Sequence, residues 1–173
     1  TTTYVDALYN ILQERYPDEV TRYHSRVKPE RHKKQLLFDF LQGKRTIMIA
    51  TSAFSMGIDV ADIELVVHFN APINMTDYIQ QIGRARRDGR KAHCVLFYDQ
   101  NGDDEAISNS FIKKAKKQSP KDAKVIKAKL SQVHNFIHSD SCMVCDILKY
   151  QGQHENKTCK RCTVCAQKRR NKK

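Results

Sequence analysis

The chain is short of acid. Its 173 residues hold 19 aspartates and glutamates against 31 lysines and arginines, a formal charge of +12. That imbalance points to a polyanionic partner. No apolar run approaches the ~18 residues of a membrane-crossing helix, and no segment has the plan of a secretory signal. No internal repeat occurs, and low complexity is confined to the lysine runs. A G-x-x-x-x-G-K-[ST] loop is missing throughout, so the chain has no P-loop to cradle a nucleotide. It also begins at Thr1 without methionine, which suggests a piece of something longer. Apolar residues still make up 40% of the chain, enough for a core, which excludes a disordered polycation.

Two textures follow one another. From Thr1 to about residue 100, helical patterns alternate with short β-rich runs. "YVDALYNILQ" places Val5, Leu8, Ile11 and Leu12 on one helical face. "VTRYHS" reads as extended. "PERHKKQLLFDFLQG" reads as a helix with Pro29 in its first turn, an apolar face of Leu36, Leu37, Phe40 and Leu41, and Gly43 as its stop. "TIMIAT" and "ELVVHF" are apolar nearly throughout, as buried parallel strands tend to be. A helix from about Met75 and the strand "AHCVLFY" close the region, with Cys94 expected as a small buried hydrophobe. The alternation predicts an α/β parallel sheet, with ligands at the carboxyl ends of its strands.

The second texture, residues 101–165, is helical and lysine-rich. Two helices break at Ser119-Pro120, and the second is expected to bury Val125, Ile126, Leu130, Val133 and Ile137. A basic tail, 166–173, is expected to be disordered. Five of six cysteines crowd between Cys142 and Cys165. Without a secretory signal, such crowding favours metal over disulfides. Spacing alone leaves the ligand set open. Cys142-x2-Cys145 with Cys159-x2-Cys162 is a zinc-ribbon pattern, and a C-x2-C-x2-C run also suits an iron–sulfur cluster. His138 and His154 flank the cluster and read as solvated residues.

One stretch asks a sharper question. "DYIQQIGRARRDGR" sets Arg84 and Arg87 three residues apart just past Gly83. Glycine lets backbone come close, and two guanidiniums can clamp phosphate oxygens. A surface helix bridging to acidic neighbours would look the same. Other motifs accompany it: Tyr23-His24-Ser25 upstream, then Ala50-Thr51-Ser52-Ala53-Phe54-Ser55-Met56-Gly57-Ile58-Asp59, then Tyr78-Ile79-Gln80-Gln81-Ile82-Gly83-Arg84-Ala85-Arg86-Arg87-Asp88-Gly89. In this order they resemble the second RecA-like domain of superfamily 2 helicases, and most closely the RecQ family. That family's patterns run YHAG, ATxAFGMGIDKxDVRFVIH and YYQExGRAGRDG. The resemblance covers about residues 1 to 165.

The resemblance implies a RecA-like parallel sheet with flanking helices, followed by a small helical zinc module. It implies the carboxy-terminal part of a 3′-to-5′ ATP-dependent DNA helicase, with ATP and Mg2+ held in the intact parent between this half and a first RecA-like domain. Arg87 would match the arginine finger, Arg84 its neighbour, and Gln80 the link from nucleotide to DNA. Gly57 and Asp59 would lie at the nucleotide. Thr51, Ser52, His24 and Thr1 would lie on the DNA side, the partner being a single-stranded or junction DNA met without sequence preference. Such a protein is nucleoid-associated in the cytoplasm of a bacterium, or nuclear in a eukaryote. The zinc module of the family spaces its ligands C-x16-C-x2-C-x2-C, which assigns Zn2+ to Cys142, Cys159, Cys162 and Cys165. Closed four-cysteine sites are structural. A non-enzymatic zinc-containing DNA-binding module is the other reading.

There are departures. Ser55 stands where the family has glycine, which needs a negative φ there. Arg86 replaces the glycine between the two arginines. The family's opening strand is not found ahead of the first helix, and with no P-loop the chain by itself is expected not to hydrolyse ATP.

Overall fold

The computed structural model describes residues 1–55, 60, 63–86, 89–99, 101–155 and 157–171. The chain forms two compact units, residues 1–61 and 62–173. The boundary falls inside the first of the two regions that the sequence textures suggest.

The first unit alternates helix and strand: α1 (Thr2–Arg15), β1 (Val20–Tyr23), α2 (Glu30–Leu41) and β2 (Ile47–Ala50), then a short 3-10 turn over Ser52–Ser55. β1 and β2 pair in parallel, from Val20 opposite Ile47 to Tyr23 opposite Ala50. Parallel neighbours need a crossover, and α2 supplies it. Val5, Val20 and Ile49 are buried together, with Leu8, Tyr9, Leu12, Tyr16 and Ile47 packed around them. Ile11, expected on this face, is 64% exposed. Val5, Leu8 and Leu12 alone fill the i, i+3, i+7 stripe. α2 starts one residue after Pro29 and buries no residue fully, leaving Leu41 and the unforeseen Phe38 exposed. Gly43 ends that segment at φ +69°, a left-handed conformation that costs glycine little. Ser55, at the position where the family has glycine, closes the 3-10 turn.

The second unit pairs β3 (Leu65–His68) in parallel with β4 (His93–Leu96), and α3 (Met75–Ile82) forms the crossover between them. Four helices follow: α4 (Asp103–Gln118), α5 (Pro120–Ile137), α6 (Met143–Tyr150) and α7 (Thr163–Arg170). The break between α4 and α5 is a capped restart. Ser119 Oγ accepts the Asp122 amide at 3.0 Å, and Pro120 occupies the first turn. Met75 and Tyr78 of α3 share one core with Val133 and Phe136 of α5. Leu96, Ile79, Ile82 and, from α6, Met143 and Ile147 pack against it. Buried Asp104 joins two loops by accepting the amides of Ala71 at 2.7 Å and Asp99 at 2.8 Å.

Several expectations need correction here. Among the described residues the unit's sheet has two strands, and one of its faces is open: Leu65, Val67, Phe69, Val95 and Phe97 are exposed there. Cys94, on the opposite face with Leu96, is exposed as well. On α5 Val133 is buried and Ile137 packs on the core as expected, but Ala123 and Phe136 are buried too and Val125 is 47% exposed. Residues 166–170 of the tail expected to be disordered lie in the helix Thr163–Arg170.

Candidate arginine helix and four-thiol metal centre

The helix that leads to the arginines is fixed at both ends. Asn74 caps α3: its side-chain oxygen accepts the Asp77 amide at 2.8 Å, while its Nδ2 donates to Asp77 Oδ2 at 2.8 Å. Tyr78, 5% exposed, stacks at a tilt against His68 and Phe136. Burial, with Cys94 as a lesser influence, pushes the Tyr78 hydroxyl up to about 12. His68 Nε2 lies 2.7 Å from Gln81 Oε1, so that nitrogen carries the hydrogen. Burial lowers the His68 pKa, and the Gln81 bond only partly opposes this. Gln80, the residue matched to the nucleotide–DNA link, faces solvent.

α3 stops at Gly83. A Cβ there would meet the Ile79 carbonyl oxygen at 3.1 Å, a close approach that favours glycine. The chain then tightens, with the Arg84 amide on Gln81 O (3.2 Å) and the Ala85 amide on Ile82 O (3.0 Å). Ala85 forms a parallel bridge with Ile63, and the Arg86 amide donates to Ile63 O at 3.0 Å. Arg86 has φ +34°, in the left-handed region, at the position where the family's pattern has glycine. Its guanidinium pairs with Glu64. The arginine turn is therefore fastened to the start of β3. Arg87, Gly57 and Asp59 lie outside the described residues.

In the first unit, His24, Thr51 and Ser52 follow the carboxyl ends of the adjacent strands β1 and β2. The Thr51 amide donates to Tyr23 O at 3.2 Å, and Ser52 is exposed. His24 is different. It is 2% exposed, and both ring nitrogens are engaged. Nδ1 accepts the Arg26 amide at 3.2 Å, so Nε2 carries the hydrogen that meets Asp6 Oδ1 at 3.1 Å. Asp6 Oδ1 also accepts from Arg22 Nη1 at 2.6 Å. Thr1 caps α1, its hydroxyl accepting the Tyr4 amide at 3.4 Å. Pattern reading singled out His24 but missed Asp6 and Arg22. No one-dimensional motif links a helix residue and a strand residue so far apart in the chain.

The cysteines settle into one cluster. The Sγ atoms of Cys142, Cys159, Cys162 and Cys165 all lie within 4.8 Å of one another, and Cys145 is outside that set. The Sγ atoms of Cys142 and Cys162 are 4.0 Å apart. Four thiolates around zinc at ~2.3 Å stand about 3.8 Å from each other, so the donor set fits a tetrahedral ion. Backbone amides already point at sulfur: Cys159 N to Cys142 Sγ at 3.3 Å, Cys162 N to Cys159 Sγ at 3.2 Å and Arg161 N to Cys159 Sγ at 3.4 Å. Lys160 takes φ +58° to make this knuckle. Burial raises the Cys142 thiol, but the amides of Cys159 and Cys145 and neighbouring thiols outweigh it and bring it to about 6. Cys165, pushed by burial and by the Cys162 and Cys142 thiols, rises to about 12. Cys145 instead donates to Lys157 O at 3.5 Å. His138 and His154 are exposed.

This centre is joined to the arginine helix. Cys142 caps α6, whose Met143 and Ile147 pack on the core holding Met75 and Tyr78, and the Tyr150 hydroxyl lies 3.0 Å from Thr76 Oγ1.

Comparison with known proteins gives two family matches. Residues 1–89 match the helicase conserved C-terminal domain, and residues 102–166 match the RecQ zinc-binding family. The ATP-dependent DNA helicase RecQ of Bacillus subtilis (strain 168) is 33% identical over 164 residues, 95% of this chain and 27% of that protein. A putative ATP-dependent RNA helicase, R290, of Acanthamoeba polyphaga mimivirus is 35% identical over 143 residues, covering 83% of this chain and 25% of that one. The chain thus spans about a quarter of the length of these curated relatives. Among solved structures, the yeast DEAD-box splicing factor Prp28 superposes with a TM-score of 0.52 at 27% identity, covering 76% of this chain and 29% of that one.

Proposed function

The chain belongs to the helicase conserved C-terminal domain family, in its RecQ branch, and from that premise we propose that it is the second motor half of an ATP-dependent DNA helicase moving 3′ to 5′. The observation that supports this best is the packing of α6 on the core of α3 and α5, which joins the helix leading to the arginines to the four-thiol centre. In the intact parent, Arg87 and Arg84 would approach the γ-phosphate across the cleft from a first RecA-like domain. Two guanidiniums there would offset the charge that develops as the phosphoryl group leaves. Gly57 and Asp59 would border the nucleotide, and Gln80 would report its state to the DNA side.

ATP and Mg2+ belong to the parent's complete site, and the chemistry they supply is phosphoryl transfer to water. On the DNA side, Thr51 and Ser52 at the end of β2 would give hydroxyl and amide contacts to backbone phosphate, which position DNA without reading sequence. His24, fully hydrogen-bonded, would act by shaping its loop. Thr1 would lie at the same edge as the cap of α1. Zinc on Cys142, Cys159, Cys162 and Cys165 would be structural.

Replacing Arg87 with alanine in the parent tests the reading. Turnover should fall by ~10^3 or more with ATP affinity changed far less. Unchanged turnover would overturn the finger assignment. The 173-residue chain alone, having no P-loop, should hydrolyse no ATP even with single-stranded DNA present.

A second reading has its own observation. Eight lysines between Lys113 and Lys129 are exposed on the α4–α5 hairpin, which carries Asp122 as its one acid over that span. A non-enzymatic module could bind DNA through this hairpin and the zinc fold. Parental ATPase stimulated by DNA decides for the motor; DNA binding with no such ATPase decides for the module.

A further inference from the structure

At the carboxyl end of β1 the first unit contains a cavity of about 340 Å³. Asp6, Arg22, His24, Arg26, Lys28 and His32 line it, with Val27 the one apolar residue among them. Its single carboxylate is already committed, since Asp6 Oδ1 takes both the Arg22 guanidinium and the His24 ring. Arg22 also lies over the Tyr9 ring, 4.6 Å from its centroid, which fixes that guanidinium in place. Arg26 and Lys28 are exposed, and among the described residues neither enters an ion pair. Glu30, the nearest acid along the chain, is paired with Lys33 at 2.8 Å. Two cations are left uncompensated in a polar hollow, and no side chain caps the first amides of α2 beside it.

We propose that this cavity holds phosphate, and that the phosphate is the backbone of single-stranded nucleic acid. The proposal rests on the function given above and deepens it. Two uncompensated cations match the single charges of two successive phosphodiesters. A polar lining suits an anion that keeps part of its hydration and offers little to a base or an apolar side chain. Arg26 supplies a two-toothed donor and Lys28 a point charge. His24 is a positioning residue: it fixes the Arg26 backbone through Nδ1 and ties the loop to α1 through Asp6. The site uses side chains other than Thr51 and Ser52, whose strand end neighbours it through the Thr51 amide on Tyr23 O, and would add a backbone contact to theirs.

The test uses the whole 173-residue chain loaded with zinc and a fluorescent oligo-dT, with affinity measured by anisotropy at several salt concentrations. Each phosphate contact on single strands adds about 0.7 to the slope of log affinity against log salt, so the double variant Arg26→Ala/Lys28→Ala should flatten the slope by about 1.4. The control Arg15→Ala/Lys44→Ala removes equal charge from the same unit outside the cavity and should leave the slope as in the parent chain. Equal flattening in both doubles, or none in the first, overturns the cavity as a site while DNA binding by other residues stands. No oligonucleotide affinity in the unaltered chain at low salt overturns the functional reading and the cavity together. A second arm separates the sources: inorganic phosphate should shift the His32 ring resonances only at tens of millimolar. Micromolar phosphate binding, with oligonucleotide affinity indifferent to Arg26 and Lys28, would make this a free-anion site and overturn the assignment.

Discussion

The arginine turn and the thiol cluster lie in the same unit and share a border, yet they are held by different physics. α3 contributes two of the four buried residues of its core, is capped by Asn74, and passes its chain through successive backbone hydrogen bonds into Arg86. From Ser139 to Asn171 the only buried residues among those described are Cys142 and Cys165. The first region is organised by apolar burial and needs no ligand. The second buries little except its own prospective ligands. Its stability must come from coordination, because so polar a stretch cannot recover its chain entropy from so small a core. What joins them is α6, which is thiol-bearing at Cys142 and apolar at Met143 and Ile147.

The sharpest way to break this comparison is to remove one ligand. Cys165→Ser leaves three thiolates and should abolish most metal affinity, from a site of a kind worth ~10 kcal/mol or more, and loosen everything after about Ser139. Cys145→Ser should keep about one zinc per chain, since that thiol lies outside the converging four and donates to the Lys157 carbonyl oxygen. Metal analysis of the two purified variants checks both, and the reverse pattern would restore the ribbon pairing. A colourless protein weighs against an iron–sulfur cluster.

A smaller effect probes the other side. Arg86 holds a left-handed backbone and an ion pair to a largely exposed Glu64. Alanine at 86 keeps the backbone cost and loses only the pair, so it should destabilise by less than ~1 kcal/mol in urea unfolding. Glycine loses the same pair but relieves the backbone, and should be the more stable of the two. A partly solvated pair contributes little by itself. Alanine as stable as glycine would mean the backbone at 86 is unstrained.

These contrasts also explain how much could be read in advance. The helix–strand alternation, the parallel pairing, the break at Ser119-Pro120 and the family resemblance were all legible, because periodicity, turn chemistry and motif order are local signals. Which quartet of thiols converges was not legible from spacing, as Cys142-x2-Cys145 is as good a pair as Cys162-x2-Cys165. Only the fold turns Cys145 toward Lys157. Burial was misjudged where it depends on neighbours outside the element, as at Cys94, Ile11 and Val125. The Asp6–Arg22–His24 network has no sequence signature. Arg86 was noted as a departure, but its positive φ and its tie to Glu64 are three-dimensional facts.

The link between the two regions can be measured directly by amide hydrogen exchange on the 173-residue chain, with metal bound and after chelation. Stripping the metal should unprotect α6 and α7, and it should also speed exchange at Tyr78 to Ile82 of α3, because Met143 and Ile147 then leave the core they share. α1 and β1, in the other unit, should not respond. Protection on α3 that is identical with and without metal, while α6 opens, would contradict the claim that the thiol centre buttresses the arginine helix.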